Sequence, residues 1–257
     1  MKVVILCGGL GTRLREETEF RPKPMVPVGD RPILWHIMKT YAHYGHKEFI
    51  LCLGYKGEVI KDYFRNYHWN TSNVTMTLGA KPQIKYHSRH DEEDWVVTMI
   101  DTGQSTMTGG RIKRVLPYIE DTTFLLTYGD GVTNSDINAS IDLHRHHKKI
   151  LTVTAVQPAG RFGDLQIEDG RVTAFNEKPE KQTGQINGGF FVVDRRIEKN
   201  LSDDTCVFEN EPLATLAAEK QIVAYQHPGF WQCMDTYREQ QMLSQMWNSG
   251  KAPWKIW

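Results

Sequence analysis

The sequence predicts an α/β fold in which a mixed, mostly parallel sheet is flanked by helices and carries inserted β elements. Apolar runs of strand length, such as Lys2 to Cys7 and Phe49 to Leu53, end at glycine and indicate strands buried on both faces. Segments with helical periodicity stand between these runs, as after Pro32. Alternating strands and helices require parallel pairing with right-handed crossovers.

The predicted elements then follow in order along the chain. After the first strand these are a helix from Pro32 to Gly45, the strand Phe49 to Leu53, a helix from Glu58 to Tyr67, and three inserted strands at Val74 to Leu78, Ile84 to His87 and Val96 to Ile100. The second half contains a strand at Phe124 to Thr127, a helix at Asp136 to Lys148, a strand at Leu151 to Val156, a hairpin at Asp164 to Phe175 turning at Asp169-Gly170, a strand at Gly189 to Val193, and helices at Pro212 to Glu219 and Tyr237 to Trp247.

The composition excludes several classes of protein. Lys plus Arg and Asp plus Glu both number 31 among the 257 residues, so no bulk attraction to nucleic acid or to an anionic membrane is expected. No apolar stretch approaches the about 18 residues that a membrane span needs. The 4 cysteines lie far apart without a CxxC pair, which argues against a zinc site or a disulfide framework. We therefore expect a reduced, soluble, cytoplasmic protein.

A glycine-rich segment with the sequence GGLGTRL, Gly8 to Leu14, directly follows the first strand. Closely spaced glycines let backbone N–H groups approach an anion, and the Arg13 guanidinium can grip phosphate oxygens. A dinucleotide-binding fingerprint needs glycine where Leu14 stands, and a Walker A loop needs a Gly-Lys-Ser/Thr tripeptide that the chain lacks. Taken alone, the segment is equally consistent with a phosphate-binding loop and with a plain tight turn.

A second segment places Lys23 between Pro22 and Pro24. The two prolines fix the backbone on both sides of the lysine and keep it from being helical there. Such rigidity suits a lysine that must meet a developing negative charge. Taken alone, the loop is also consistent with an ordinary solvated surface lysine.

Together, the glycine-rich segment and the following Lys-Pro-Met sequence resemble the start of the sugar-1-phosphate nucleotidylyltransferases. The resemblance continues over essentially the whole chain through Tyr128-Gly129-Asp130-Gly131, Glu177-Lys178-Pro179, Asn187-Gly188-Gly189-Phe190, Gly229-Phe230-Trp231 and Met234-Asp235-Thr236. Its finer likeness is to the cytidylyl branch of that family. Glu16 stands where thymidylyl and uridylyl relatives usually carry proline, and residues 101–111 and 251–255 look like the cytidylyl branch.

The resemblance implies a Rossmann-like fold of the nucleotide-diphospho-sugar transferase type, in one domain over residues 1–257. Its nucleotide-binding part would cover about 1–130, its sugar-binding part about 131–240, and the C-terminal helix and tail about 236–257. It implies transfer of a cytidylyl group from CTP to α-D-glucose 1-phosphate, giving CDP-glucose and diphosphate for dideoxyhexose and O-antigen precursors. It also favours a homo-oligomer, specifically a hexamer. Two alternatives stay open: the same chemistry with UTP or dTTP, and a non-catalytic protein that binds sugar nucleotides.

The resemblance also assigns roles to individual residues. The expected nucleotide-binding residues are Leu6, Cys7, Gly8, Gly9, Leu10, Gly11, Thr12, Arg13, Lys23, Thr106, Arg111 and Gly129, with Arg13 and Lys23 as catalytic residues and Thr106 and Arg111 toward the cytosine. The expected sugar-phosphate-binding residues are Glu177, Lys178, Asn187, Gly188 and Gly189. Asp130 and Asp235 would hold Mg²⁺, which prefers carboxylate and phosphate oxygens. By residue type alone, Asp130 is equally a turn residue, Asp235 a helix-capping acid and Lys178 a solvated turn lysine.

These residue types fit a displacement at phosphorus. The nucleophile would be a phosphate oxygen of the sugar phosphate, which is already anionic at neutral pH and needs no general base. The obstacle is the repulsion between two anions, which Arg13, Lys23 and Lys178 would offset. Catalysis would then consist of positioning and charge neutralisation.

Overall fold

The computed structural model describes residues 1–87, 94–158, 164–168, 171–176 and 184–257. The predicted hairpin turn at Asp169-Gly170 lies outside these residues. The strands that flank this turn are present and pair antiparallel, as the sequence predicts.

Helices and strands alternate through most of the chain. The strands are β1 (Val3–Leu6), β2 (Pro27–Val28), β3 (Arg31–Pro32), β4 (Glu48–Leu53), β5 (Val74–Thr77), β6 (Gln83–Tyr86), β7 (Val96–Asp101), β8 (Thr123–Tyr128), β9 (Gly131–Thr133), β10 (Leu151–Val156), β11 (Asp164–Glu168), β12 (Arg171–Asn176), β13 (Ile186–Asp194), β14 (Ile222–His227) and β15 (Trp231–Cys233). The helices are α1 (Arg15–Thr18), α2 (Ile33–His43), α3 (Gly57–Arg65), α4 (Tyr67–Thr71), α5 (Thr108–Val115), α6 (Ile137–His147), α7 (Glu211–Ala218) and α8 (Tyr237–Asn248).

Seven strands form the central sheet in the order β14-β10-β13-β8-β1-β4-β7. All neighbouring pairs are parallel except those that involve β13, which runs antiparallel to both β10 and β8. The sheet is therefore mixed and mostly parallel, and the predicted fold class is confirmed. The carboxyl ends of β1, β4, β7 and β8 meet at one edge, where open α/β sheets bind their ligands.

A separate apolar cluster covers each face of this sheet. Because successive side chains of a strand point to opposite faces, β1 places Val3 and Ile5 in one cluster and Val4 and Leu6 in the other. Helices α2, α6 and α8 contribute to the first cluster, and α5 and α7 to the second. Burial on both faces fixes the strand register, and with it the level at which the strand ends emerge.

The structure differs from the sequence prediction in several elements. Helix α5 and strand β14 are not predicted, because α5 contains two glycines that disfavour a helix and β14 is a half-exposed edge strand. Val96–Asp101 is not part of an inserted unit but the edge strand of the main sheet, parallel to β4. The predicted helix at 58–67 is broken at Asn66 into α3 and α4. Within the described residues no helix is both long enough and apolar enough to cross a membrane.

Candidate active site

A cavity of about 650 Å³ opens at the carboxyl edge of the sheet. This volume is typical of sites that bind small molecules. Its lining includes every residue expected to bind the nucleotide, together with Asp130: Leu6, Cys7, Gly8, Gly9, Leu10, Gly11, Thr12, Arg13, Lys23, Thr106, Arg111 and Gly129. The structure thus brings together residues from the ends of β1 and β8, the Pro-Lys-Pro loop and the start of α5.

Arg111 lies buried beneath the glycine-rich segment and holds three parts of the chain together. Its guanidinium donates hydrogen bonds to the carbonyls of Leu53 (2.9 Å) and Gly8 (3.1 Å) and to the Thr102 hydroxyl (2.7 Å). A Cβ atom on residue 8 would lie 2.1 Å from an Arg111 nitrogen, so a larger residue there would displace the guanidinium from these hydrogen bonds. The observed role of Arg111 is therefore to anchor the loop, while its contact with cytosine stays a prediction.

The charged centre of the site is a cluster around Lys23. The Lys23 ammonium donates to a carboxylate oxygen of Asp130 and to one of Asp235, each at 2.6 Å, and Arg13 donates to Asp235 at 2.8 Å. Burial lowers the pKa of Lys23, but the two carboxylates outweigh this effect and raise the pKa above its ordinary value. Lys23 is therefore held as a cation inside the site.

Strand pairing places the two acids side by side. Asp130 immediately precedes β9, Asp235 follows β15 closely, and the antiparallel pair sets Cys233 opposite Gly131. The Met234 N–H donates to the Asp130 carbonyl at 2.8 Å, which extends the pairing to the acids themselves. Asp235 is not the N-cap of α8, because Thr236 occupies that position in a capping box with Glu239.

The segment expected to contact the sugar lies next to this cluster. The Asn187 side chain accepts a hydrogen bond from the Gly189 N–H at 2.8 Å, and the Trp231 indole N–H donates to the Gly188 carbonyl at 2.7 Å. Trp231 lies on β15, so the strand that presents Asp235 also fixes this segment. Glu177 and Lys178 lie outside the described residues.

Asp130 and Asp235 suit a divalent cation. Both carboxylates contact the Lys23 ammonium at 2.6 Å, so a positive charge already stands between them, and their oxygens are the ligands that Mg²⁺ prefers. In the part of the chain that the structure describes, no cluster of three His, Cys, Asp or Glu side chains suited to a metal occurs. Mg²⁺ commonly binds through one or two carboxylates, with phosphates and water as the other ligands.

Several cavity residues are not anticipated from the sequence. These are Pro24, Gln104, Ser105, Met107, Thr108 and Tyr128. Most of them stand within motifs that the sequence does display, either the Tyr-Gly-Asp-Gly sequence or the segment 101–111. Motif membership was therefore a usable signal, although it does not indicate which side chains line the cavity.

Comparison with known proteins agrees with this geometry. A family model described as nucleotidyl transferase matches residues 2–232. The chain belongs to the nucleotidyl transferase family. The family predicted from the sequence motifs is confirmed.

Relatives within this nucleotidyl transferase family match the chain over its full length. Glucose-1-phosphate cytidylyltransferase of Salmonella typhi is 53% identical over 258 residues, covering 100% of both chains. Probable glucose-1-phosphate cytidylyltransferase of Bacillus subtilis is 44% identical over 258 residues, again covering 100% of both.

Solved structures resemble the chain in fold. HddC from Yersinia pseudotuberculosis, complexed with GMP-PN, has a TM-score of 0.69 at 24% identity and covers 96% of this chain and 99% of its own. UDP-glucose pyrophosphorylase complexed with UDP-glucose has a TM-score of 0.69 at 17% identity, covering 97% and 98%. At these identities the two structures support the fold alone.

Proposed function

We propose that this nucleotidyltransferase transfers the cytidylyl group of CTP to α-D-glucose 1-phosphate, forming CDP-glucose and releasing diphosphate. The observation that carries the chemistry is the Lys23 ammonium held between Asp130 and Asp235 at the rim of a nucleotide-sized cavity. The substrates are supported by the full-length identity of 53% to the Salmonella typhi cytidylyltransferase. The family resemblance suggests dideoxyhexose and O-antigen precursors as the use of the product.

In the proposed reaction a phosphate oxygen of glucose 1-phosphate attacks the α-phosphorus of CTP. A phosphorus–oxygen bond forms as the bond to the β-phosphate oxygen breaks, and diphosphate leaves with the electron pair. Arg13 and Lys23 neutralise the charge of the phosphate chain, and the glycine-rich segment positions it through its backbone N–H groups. The attacking oxygen carries its own negative charge, so no side chain has to accept a proton.

Asp130 and Asp235 would hold the Mg²⁺ ion that nucleotidyl transfer requires. When bound, the ion would neutralise phosphate oxygens and orient the phosphate chain. Arg13 and Lys23, which pair with these carboxylates in the structure, would then be available to the substrate phosphates. Asn187, Gly188 and Gly189 would approach the sugar.

We also propose that the chain assembles as a homo-oligomer, with a hexamer favoured by the family resemblance. Apolar side chains on the β5–β6 hairpin support a contact between subunits there, since Met76 is 43%, Ile84 49% and Leu78 82% exposed. Exposed apolar patches of this kind commonly mark protein contacts.

Diphosphate release from CTP, UTP, dTTP, GTP and ATP, each with glucose 1-phosphate and Mg²⁺, tests the proposed reaction. We expect CTP to give the highest kcat/KM by at least about tenfold, because bidentate or paired hydrogen bonding to a base commonly discriminates by 1.4 kcal/mol or more, about one factor of ten. Equal or faster turnover with UTP or dTTP would transfer the proposal to that nucleotide. Binding of sugar nucleotides without turnover of any of the five would indicate a non-catalytic protein.

A further inference from the structure

The loop that precedes α7, residues 201–210, packs against the nucleotide side of the cavity. The N–H of Met107 donates to the Asp204 carbonyl and that of Gly109 to the Cys206 carbonyl, both at 2.8 Å. These bonds satisfy backbone donors at the start of α5. A Cβ atom on residue 109 would lie 2.4 Å from the Cys206 sulfur, so glycine is required for the loop to pack this closely. The Thr-Gly-Gly sequence of α5 therefore serves as a docking surface for this loop.

The same loop carries Glu209, whose carboxylate joins two walls of the cavity. One oxygen accepts a hydrogen bond from the Thr108 hydroxyl at 2.6 Å, and the other accepts one from the Tyr128 hydroxyl at 2.5 Å. Thr108 and Tyr128 both line the cavity, but they belong to different segments of the chain. Both distances fall in the range of charge-assisted O–H···O⁻ bonds, which are about twice as strong as neutral ones.

The two hydroxyls lead to different parts of the site. Thr108 follows Thr106, and its own oxygen accepts a bond from the Phe208 N–H at 2.9 Å, so this side fixes the nucleobase-facing segment. Tyr128 adjoins Gly129, and its ring packs against Gly189 of the segment expected to contact the sugar: a Cβ atom on residue 189 would lie 2.6 Å from a Tyr128 ring carbon. Glu209 thus connects the nucleotide side of the cavity to its sugar side.

We propose that Glu209 is a positioning residue that holds the nucleobase-facing segment and the sugar-facing segment in register through Thr108 and Tyr128. This proposal rests on the proposed function, because it assigns the two sides of the cavity to CTP and to glucose 1-phosphate. Glu209 itself does not line the cavity. Its carboxylate is suited to the task because it offers one acceptor oxygen to each hydroxyl.

Steady-state KM values for CTP and glucose 1-phosphate in four variants test this role. Thr108→Val removes one of the two hydrogen bonds to Glu209 and should raise KM for CTP about tenfold with KM for glucose 1-phosphate unchanged. Tyr128→Phe removes the other and should raise KM for glucose 1-phosphate about tenfold with KM for CTP unchanged. Glu209→Ala should raise both KM values about tenfold. Glu209→Gln should recover part of each loss, because an amide can still accept one hydrogen bond and donate to the other hydroxyl.

The matched control is Glu211→Ala, an exposed acid two positions along the chain, which should leave both KM values unchanged. Thermal unfolding of each variant separates local from global effects, and we expect Glu209→Ala to unfold within a few degrees of the wild type because the side chain is exposed. Wild-type KM values in Glu209→Ala would overturn the proposal. Equal changes of both KM values in Thr108→Val and in Tyr128→Phe would overturn it as well. Either result would refute the role of Glu209 without refuting the proposed function, provided that the wild-type protein turns over CTP. Absence of that turnover in the wild type would refute the proposed function itself.

Discussion

At the scale of single residues, Lys23 explains why two acids can share one part of the site. The Asp130 and Asp235 carboxylates would repel each other if they faced one another without a cation, and the ammonium between them offsets this repulsion. The lysine is held in place by Pro22 and Pro24, and its side chain is only 13% exposed. A positive charge is therefore preorganised before any substrate binds.

Replacing Lys23 by alanine should lower kcat/KM by about 10²-fold or more while the fold stays intact, because a preorganised charge typically contributes a few kcal/mol to transition-state binding. Diphosphate release measures the loss, and circular dichroism checks the fold. Lys61→Ala, an exposed lysine on α3, is the matched control and should retain wild-type activity. Near-wild-type turnover in folded Lys23→Ala protein would refute the role of this lysine.

At the scale of elements, the short β9–β15 pair connects the two acids. Only three residues of each strand pair, and because the strands are antiparallel, Asp130 before β9 and Asp235 after β15 lie at the same end of the pair. The His227 imidazole and the Asn134 amide secure the turn that leads into β15, since they bond each other at 3.0 Å and Asn134 accepts from the Phe230 N–H at 2.8 Å. The positions of both carboxylates are thereby determined by backbone pairing.

Asp130→Asn and Asp235→Asn should each raise the Mg²⁺ concentration needed for half-maximal activity. The amide keeps the shape of the side chain but removes the charge that binds the cation. A metal titration of initial rates measures the effect, and Asp142→Asn, an exposed acid on α6, provides the control. Unchanged half-saturation in both variants would mean that the two acids serve the structure rather than the metal.

At the scale of the whole molecule, the C-terminal tail closes the face of the sheet that α2 covers. The Trp254 side chain is fully buried within its own chain, stacks on Phe230 at 5.6 Å and donates to His36 at 3.3 Å. The other nitrogen of His36 lies 2.9 Å from the Val28 carbonyl. Burial lowers the pKa of His36 to about 4, so the ring is neutral at pH 7 and its Nδ1 accepts a hydrogen bond from the indole N–H. The tail therefore packs back onto its own domain.

Trp254→Ala should lower the free energy of unfolding by about 3–5 kcal/mol, because it empties a large, fully buried site. Urea denaturation at pH 7.5 measures the change. Lys251→Ala, an exposed position in the same tail, should differ from the wild type by less than about 0.5 kcal/mol. A loss below about 1 kcal/mol for Trp254→Ala would show that the tail contributes little to the stability of the domain.

Local sequence patterns determined much of the fold and of the candidate site. Apolar runs that end in glycine predict strands buried on both faces, and parallel strands share one carboxyl edge, so the glycine-rich segment and Gly129 had to emerge near one another. The motifs also indicated the family, the residues expected to bind the nucleotide and the two acids. These features are readable because each depends on neighbours in the sequence or on the common geometry of parallel sheets.

Only the tertiary structure decided which side chains meet. Lys23 and Asp130 are separated by 107 positions and Lys23 and Asp235 by 212, so no local pattern shows that one ammonium bonds both acids. The helix at Thr108–Val115 has poor intrinsic propensity and depends on a loop almost a hundred residues away, which also brings Glu209 between Thr108 and Tyr128. Such contacts arise from the packing of distant segments, and packing is a property of the folded chain rather than of any stretch of its sequence.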